Sequence, residues 1–171
     1  MIKKLFIHRS LPEMYNIDVG DDNQIYTEVS GKKDGIPVIF IHGGPGGHCR
    51  SEHHSLFDPE IYRSIIFDQR GCGKSTPYRS INGNNTNNLV SDIEKIREFF
   101  KIKKFLIVGG SWGATLAIKY ALKYPKNLIG VLLRSVFLGT IEEINWAFIE
   151  GPKNFAPNLF ETFKRYSNNK D

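Results

Sequence analysis

Residues 105–122 read Phe-Leu-Ile-Val-Gly-Gly-Ser-Trp-Gly-Ala-Thr-Leu-Ala-Ile-Lys-Tyr-Ala-Leu, and their centre, Gly109-Gly110-Ser111-Trp112-Gly113, decides the fold. The apolar run from Lys104 to Val108 has the length of a strand buried on both faces. Ala114, Leu116, Ala117, Ile118, Ala121 and Leu122 follow with helical spacing, ending near Tyr124-Pro125. A serine between a strand and a helix, flanked by glycines at G-x-S-x-G spacing, is the signature of a nucleophile elbow. The turn lifts the hydroxyl above the sheet, and the helix start behind it favours developing negative charge. Ser111 is therefore the candidate nucleophile, with Gly109 and Gly113 small enough to let strand and helix approach.

Outward from this turn the pattern alternates. Gln24–Ser30, Pro37–Ile41, Ser64–Phe67 and Leu128–Leu133 read as further strands. Leu89, Ile93, Ile96, Phe99 and Phe100 mark a second helix, and Asn82–Asn88 before it reads as a polar loop. Strands alternating with helices predict an α/β fold with a mostly parallel sheet and helices on both faces. After Leu138 only helical stretches remain, Glu142–Glu150 and about 158–166, split by Gly151-Pro152 and Pro157.

His42-Gly43-Gly44-Pro45-Gly46-Gly47 follows the strand ending at Ile41 and leaves backbone N–H groups available. In elbow hydrolases one oxyanion donor is the residue after the serine, here Trp112, and the other comes from such a loop, here Gly44 or else Gly43. His42, Pro45 and Gly46 read as structural parts of that loop, with His42 packed beneath the glycines. Gly73-Lys74-Ser75 after a strand suggests a phosphate loop, but the glycine required five residues earlier is replaced by Asp68. His42, His48, His53 and His54 match no zinc spacing and read as a solvated histidine cluster, so no metal is expected.

Composition removes other classes. The 171 residues carry 23 Lys+Arg against 18 Asp+Glu, a surplus of +5 spread along the chain, which argues against a nucleic-acid binder. Cys49 and Cys72 are too few for a disulfide framework. No apolar run reaches the ~18 residues of a membrane span, and Met1–Ile7 runs into His8-Arg9 without a signal-peptide pattern. These features predict a soluble, cytoplasmic protein.

His42–Gly47, Asp68-Gln69-Arg70-Gly71-Cys72-Gly73-Lys74-Ser75 and Gly109–Gly113, in this order, resemble the proline iminopeptidase (prolyl aminopeptidase) family of α/β-hydrolases. Asp18-Val19-Gly20, Tyr26–Gly31, Phe57-Asp58-Pro59, Leu133-Arg134, Trp146 and Glu150-Gly151 extend the resemblance over most of the chain. It implies a serine aminopeptidase acting on peptides with an N-terminal proline, without metal or cofactor. Ser111 would attack the prolyl carbonyl, and the Trp112 and Gly44 N–H groups would hold the oxyanion. Asp68 and Arg70 would be structural. Residues 1–138 would form the first part of the hydrolase core, and 139–171 the beginning of a helical cap.

The triad order in this architecture is Ser, then Asp or Glu, then His. The five histidines, His8, His42, His48, His53 and His54, all precede Ser111. The later carboxylates, Glu142, Glu143, Glu150, Glu161 and Asp171, lie in the cap region or the tail. The expectation is thus a partial chain without triad acid or base, inactive alone. The alternatives are an inactive remnant serving as an interaction module, or an esterase or amidase of the same fold. A sheet ending at Leu128–Leu133 would leave an apolar edge open to a complementing chain or to self-association.

Overall fold

The computed structural model describes residues 5–168. One compact unit runs to Val136 and a second begins at Phe137. The first is built on six strands: β1 (Glu13–Asp18), β2 (Gln24–Gly31), β3 (Ile36–Ile41), β4 (Tyr62–Phe67), β5 (Phe105–Ser111) and β6 (Leu128–Val136). Their order across the sheet is β1-β2-β4-β3-β5-β6. The β1–β2 and β2–β4 pairs are antiparallel, whereas β3 pairs parallel with β4 and β5, and β5 with β6. Helix α1 (Thr86–Phe99) links β4 to β5, and α2 (Trp112–Lys123) links β5 to β6. This is the mostly parallel α/β arrangement expected from the alternating pattern.

Because side chains alternate along a strand, the sheet has two distinct faces. Ile39, Ile41, Ile65, Phe67, Phe105 and Ile107 form one core with Leu89, Val90, Ile93 and Ile96 of α1 and Leu116, Ala117 and Tyr120 of α2. Both long helices therefore cover the same face. The other face carries a short 3-10 helix, Ser51–Leu56, between β3 and β4. There His54 Nδ1 bonds the Ser64 hydroxyl at 2.7 Å, and the His53 ring lies 4.6 Å from that of Phe40. Among the described residues of this unit, the second face has no longer helix.

Several boundaries differ from the sequence reading. β1 has no counterpart in that reading; of its six residues only Ile17 is buried, so it shows no clear alternation. The asparagine-rich loop ends earlier than expected, because Asn85 caps α1 by accepting the Asn88 N–H at 3.0 Å. In the second unit, α3 (Ile141–Asn145), a π turn (Trp146–Glu150) and α4 (Gly151–Phe155) precede α5 (Pro157–Asn168). Gly151-Pro152 does not split the helix there. The Gly151 N–H reaches the Trp146 carbonyl across the π turn, and Pro152 falls in the first turn of α4, where its missing N–H costs little. No helix among the described residues is long and apolar enough to cross a membrane.

Candidate active site

Ser111 ends β5 and precedes Trp112, the first residue of α2. Its backbone sits at φ 54°, ψ −122°, a conformation that side-chain-bearing residues rarely adopt. The flanking glycines make this possible by close approach. A Cβ at Gly109 would lie 2.2 Å from the Gly113 carbonyl oxygen, and one at Gly113 would lie 2.3 Å from the Ile41 carbonyl oxygen. Gly110 differs, its nearest neighbour being the Arg134 carbonyl at 3.8 Å, so its position has room for a methyl group. Ser111 is exposed, and it lines a cleft of about 700 Å³ on the second face of the sheet. Phe40, Phe57, Val108 and Leu132 give that cleft an apolar floor, and Arg50, Arg134, His48 and His53 add polar groups.

The His42–Gly47 loop lies directly against the elbow. A Cβ at Gly43 would be 3.0 Å from the Gly110 carbonyl oxygen and 3.4 Å from Ser111 Cβ. Gly44 holds φ +143°, and a Cβ there would collide with the Gly46 and Gly47 nitrogens at 2.6 and 2.7 Å. Trp112, at the start of α2, has one of the backbone N–H groups that a helix leaves without an intrahelical partner. The structure thus brings Ser111, Gly43 and Gly44 together on the lining of the cleft, with Trp112 next to Ser111 along the chain. Pro45 and Gly46 are exposed on the far part of the loop.

His42 lies beneath this loop, 2% exposed. Its Nδ1 is 2.8 Å from the Gly43 carbonyl, and its Nε2 accepts the Gln69 backbone N–H at 3.1 Å. A carbonyl can only accept, so Nδ1 carries the proton and Nε2 does not. Burial lowers the His42 pKa in the same direction, favouring the neutral ring. His54 is also 2% exposed, and burial lowers its pKa to about 4. The expectation of a solvated histidine cluster is therefore corrected for His42 and His54, both buried, the first bonded to Gly43 and Gln69 and the second to Ser64. Among the described residues no group of His, Cys, Asp or Glu is arranged to hold a metal ion.

Asp68 and Arg70 act away from Ser111. The Asp68 carboxylate accepts the Cys49 N–H at 2.6 Å and the Lys74 N–H at 2.8 Å, joining the end of the glycine loop to the turn after β4. Arg70 makes two bonds to Asp92 of α1, at 2.7 and 2.9 Å, and reaches Asp21 at 3.0 Å. Gln69 between them carries no signal of its own in the sequence, yet its amide touches both His42 and Trp112. Its role could not be read locally, since those partners are 27 and 43 positions away. Among the described residues, Ser111 Oγ makes no hydrogen bond to a histidine.

A strained serine between strand and helix, facing a glycine-rich loop at the end of a neighbouring parallel strand, defines a nucleophile-elbow hydrolase. The family model described as the alpha/beta hydrolase fold matches residues 36–166. A proline iminopeptidase of Arabidopsis thaliana is 47% identical over 149 residues, covering 87% of this chain and 39% of that protein. The proline iminopeptidase of Neisseria gonorrhoeae is 48% identical over 130 residues, 76% of this chain and 42% of its own length. Among solved structures, a proline iminopeptidase-related protein of Thermus thermophilus superposes with a TM-score of 0.63 at 27% identity, over 71% of this chain and 44% of that one. The chain belongs to the α/β-hydrolase fold family and, within it, is similar to the proline iminopeptidases. It spans about two fifths of the length of these two sequence relatives.

Proposed function

We propose that this chain supplies the nucleophile and the oxyanion loop of a serine aminopeptidase that releases proline from the N-terminus of peptides. The observation that carries the reading is the conformation of Ser111, φ 54° at the strand–helix junction, with Gly43 packed against it. In the reaction, Ser111 Oγ attacks the prolyl carbonyl and forms a tetrahedral intermediate. Its oxyanion would accept the Trp112 N–H and the Gly44 N–H. Collapse breaks the C–N bond to the leaving peptide, whose amine takes the proton removed from Ser111, and water then hydrolyses the prolyl ester. The reading places the acid and base outside these 171 residues. Without a base the hydroxyl is a weak nucleophile, so the chain alone is expected to be inert towards amides. The open edge of β6 supports pairing with a complementing chain or with a second copy.

The test is a chimera in which this chain is joined to the C-terminal part of the Arabidopsis thaliana relative. It should release proline from a prolyl arylamide, and Ser111→Ala should abolish the release. A folded chimera that is inert, or one whose activity survives Ser111→Ala, overturns the reading.

A further inference from the structure

We propose that Gln69 is a positioning residue that sets the spacing between the two halves of the oxyanion hole; this rests on the serine-hydrolase reading of Ser111. Its side chain is 3% exposed and both ends of its amide are engaged. Nε2 donates to the His42 carbonyl at 2.8 Å, while Oε1 accepts the Trp112 indole N–H at 3.1 Å. An indole nitrogen only donates and a carbonyl only accepts, so the amide has one workable orientation. The Gln69 backbone N–H adds a third bond, to His42 Nε2 at 3.1 Å.

The two groups so joined, the His42 carbonyl and the Trp112 indole, adjoin the backbone amides that would hold the oxyanion. His42 immediately precedes Gly43 and Gly44, and Trp112 immediately follows Ser111. The sheet does not set their separation by itself, because the β3 pairing with β4 and β5 ends at Ile41, opposite Phe67 and Gly109. Beyond Ile41 a backbone contact at Gly113 limits how near the segments come, but a contact of that kind cannot stop them drifting apart. The planar amide of Gln69 supplies that missing tie. Removing it would leave the buried His42 carbonyl without its side-chain donor and the Trp112 indole without an acceptor.

Gln69→Glu and Gln69→Met in the present chain test this. Glutamate keeps the acceptor for Trp112 but, when ionised, loses the donor to His42; methionine loses both. In Gln69→Met the ¹⁵N order parameters of the Gly43 and Gly44 amides should fall from about 0.85 to below about 0.6, with those of Ile39 and Ile107 unchanged. Hydrogen exchange of the Trp112 indole should rise at least about tenfold in Gln69→Met and stay near the wild-type rate in Gln69→Glu. Unchanged glycine order parameters in a folded Gln69→Met chain, or a uniform change at all amides, overturn the proposal; glutamate is the milder variant, since its second oxygen can accept from His42 Nδ1, which lies 3.1 Å from the amide nitrogen it replaces. In the chimera described above, either variant should lower kcat by roughly 10–100-fold with KM little altered. If the unsubstituted chimera is inert, the hydrolase reading fails separately, and the relaxation data still decide whether Gln69 holds the turn.

Discussion

β3 and β6 both run parallel to β5, one on each side of it, and both are rich in Ile, Leu and Val. In β3, Val38, Ile39 and Ile41 are completely buried. In β6, Ile129 is 55% exposed, Leu132 58% and Val136 52%. The side-chain chemistry is nearly the same, so the difference lies in what surrounds each strand. β3 has strands on both edges, the long-helix core beneath it and the 3-10 helix on its other face. β6 has one neighbouring strand and ends the sheet. The elbow lies between them, so one wall of the cleft is firmly packed and the other, containing Leu132 and Arg134, is open. The loop that offers the oxyanion donors grows from the packed side.

The largest effect that could break this comparison is a truncation in each strand. Ile41→Ala should cost about 2–5 kcal/mol, whereas Leu132→Ala should stay within about 0.5 kcal/mol, both read from urea midpoints. Similar losses at the two positions would mean that β6 is covered, most simply by another copy, and dilution should then restore the contrast.

The next effect concerns the cover over the second face. Burial holds the His54 pKa at about 4, with the Glu28 carboxylate 3.6 Å away opposing the shift and His8 and His53 reinforcing it. Between about pH 6.5 and 4 the unfolded chain takes up a proton that the folded chain refuses, so stability is lost as pH falls through that window. The His54 share is at most about 3 kcal/mol, and His42 acts in the same direction. Urea midpoints at pH 7.5 and 4.5 should differ less in His54→Gln than in the unsubstituted chain. An equal difference would show that the cover over β4 does not depend on a neutral His54.

The smallest effect lies at the end of β6. The β5–β6 register skips Ser135, since Gly110 pairs with Arg134 and Ser111 with Val136, and Ser135 takes φ 47°. Ser135→Gly should raise stability by about 1 kcal/mol by removing the left-handed penalty. A lower urea midpoint would mean that the serine side chain holds the bulge beside the nucleophile.

The elbow was legible because strand, turn and helix are contiguous, and the required small residues, Gly109 and Gly113, sit within two positions of Ser111. The glycine loop could be read for the same reason. What stayed hidden depends on contacts distant in sequence: the burial of His54, the bridging role of Gln69, and β1, whose residues carry little hydrophobic alternation. The π turn before Gly151 was hidden for a different reason. A glycine followed by proline ordinarily marks a break, and here a longer hydrogen-bonded turn absorbs it.

The Asp68 carboxylate also explains why a stretch so like a phosphate loop should not behave as one. Lys74 donates its backbone N–H to that carboxylate, and a Cβ at Gly73 would fall 2.1 Å from Asp68 Oδ2. The negative charge that such a curved, amide-rich turn attracts is supplied by the chain itself. An intramolecular anion has no dissociation constant, so occupancy does not vary with any solute and free phosphate meets a site already filled. The turn is thereby committed to architecture: it fastens the end of the glycine loop to the sheet at every concentration of nucleotide in its surroundings.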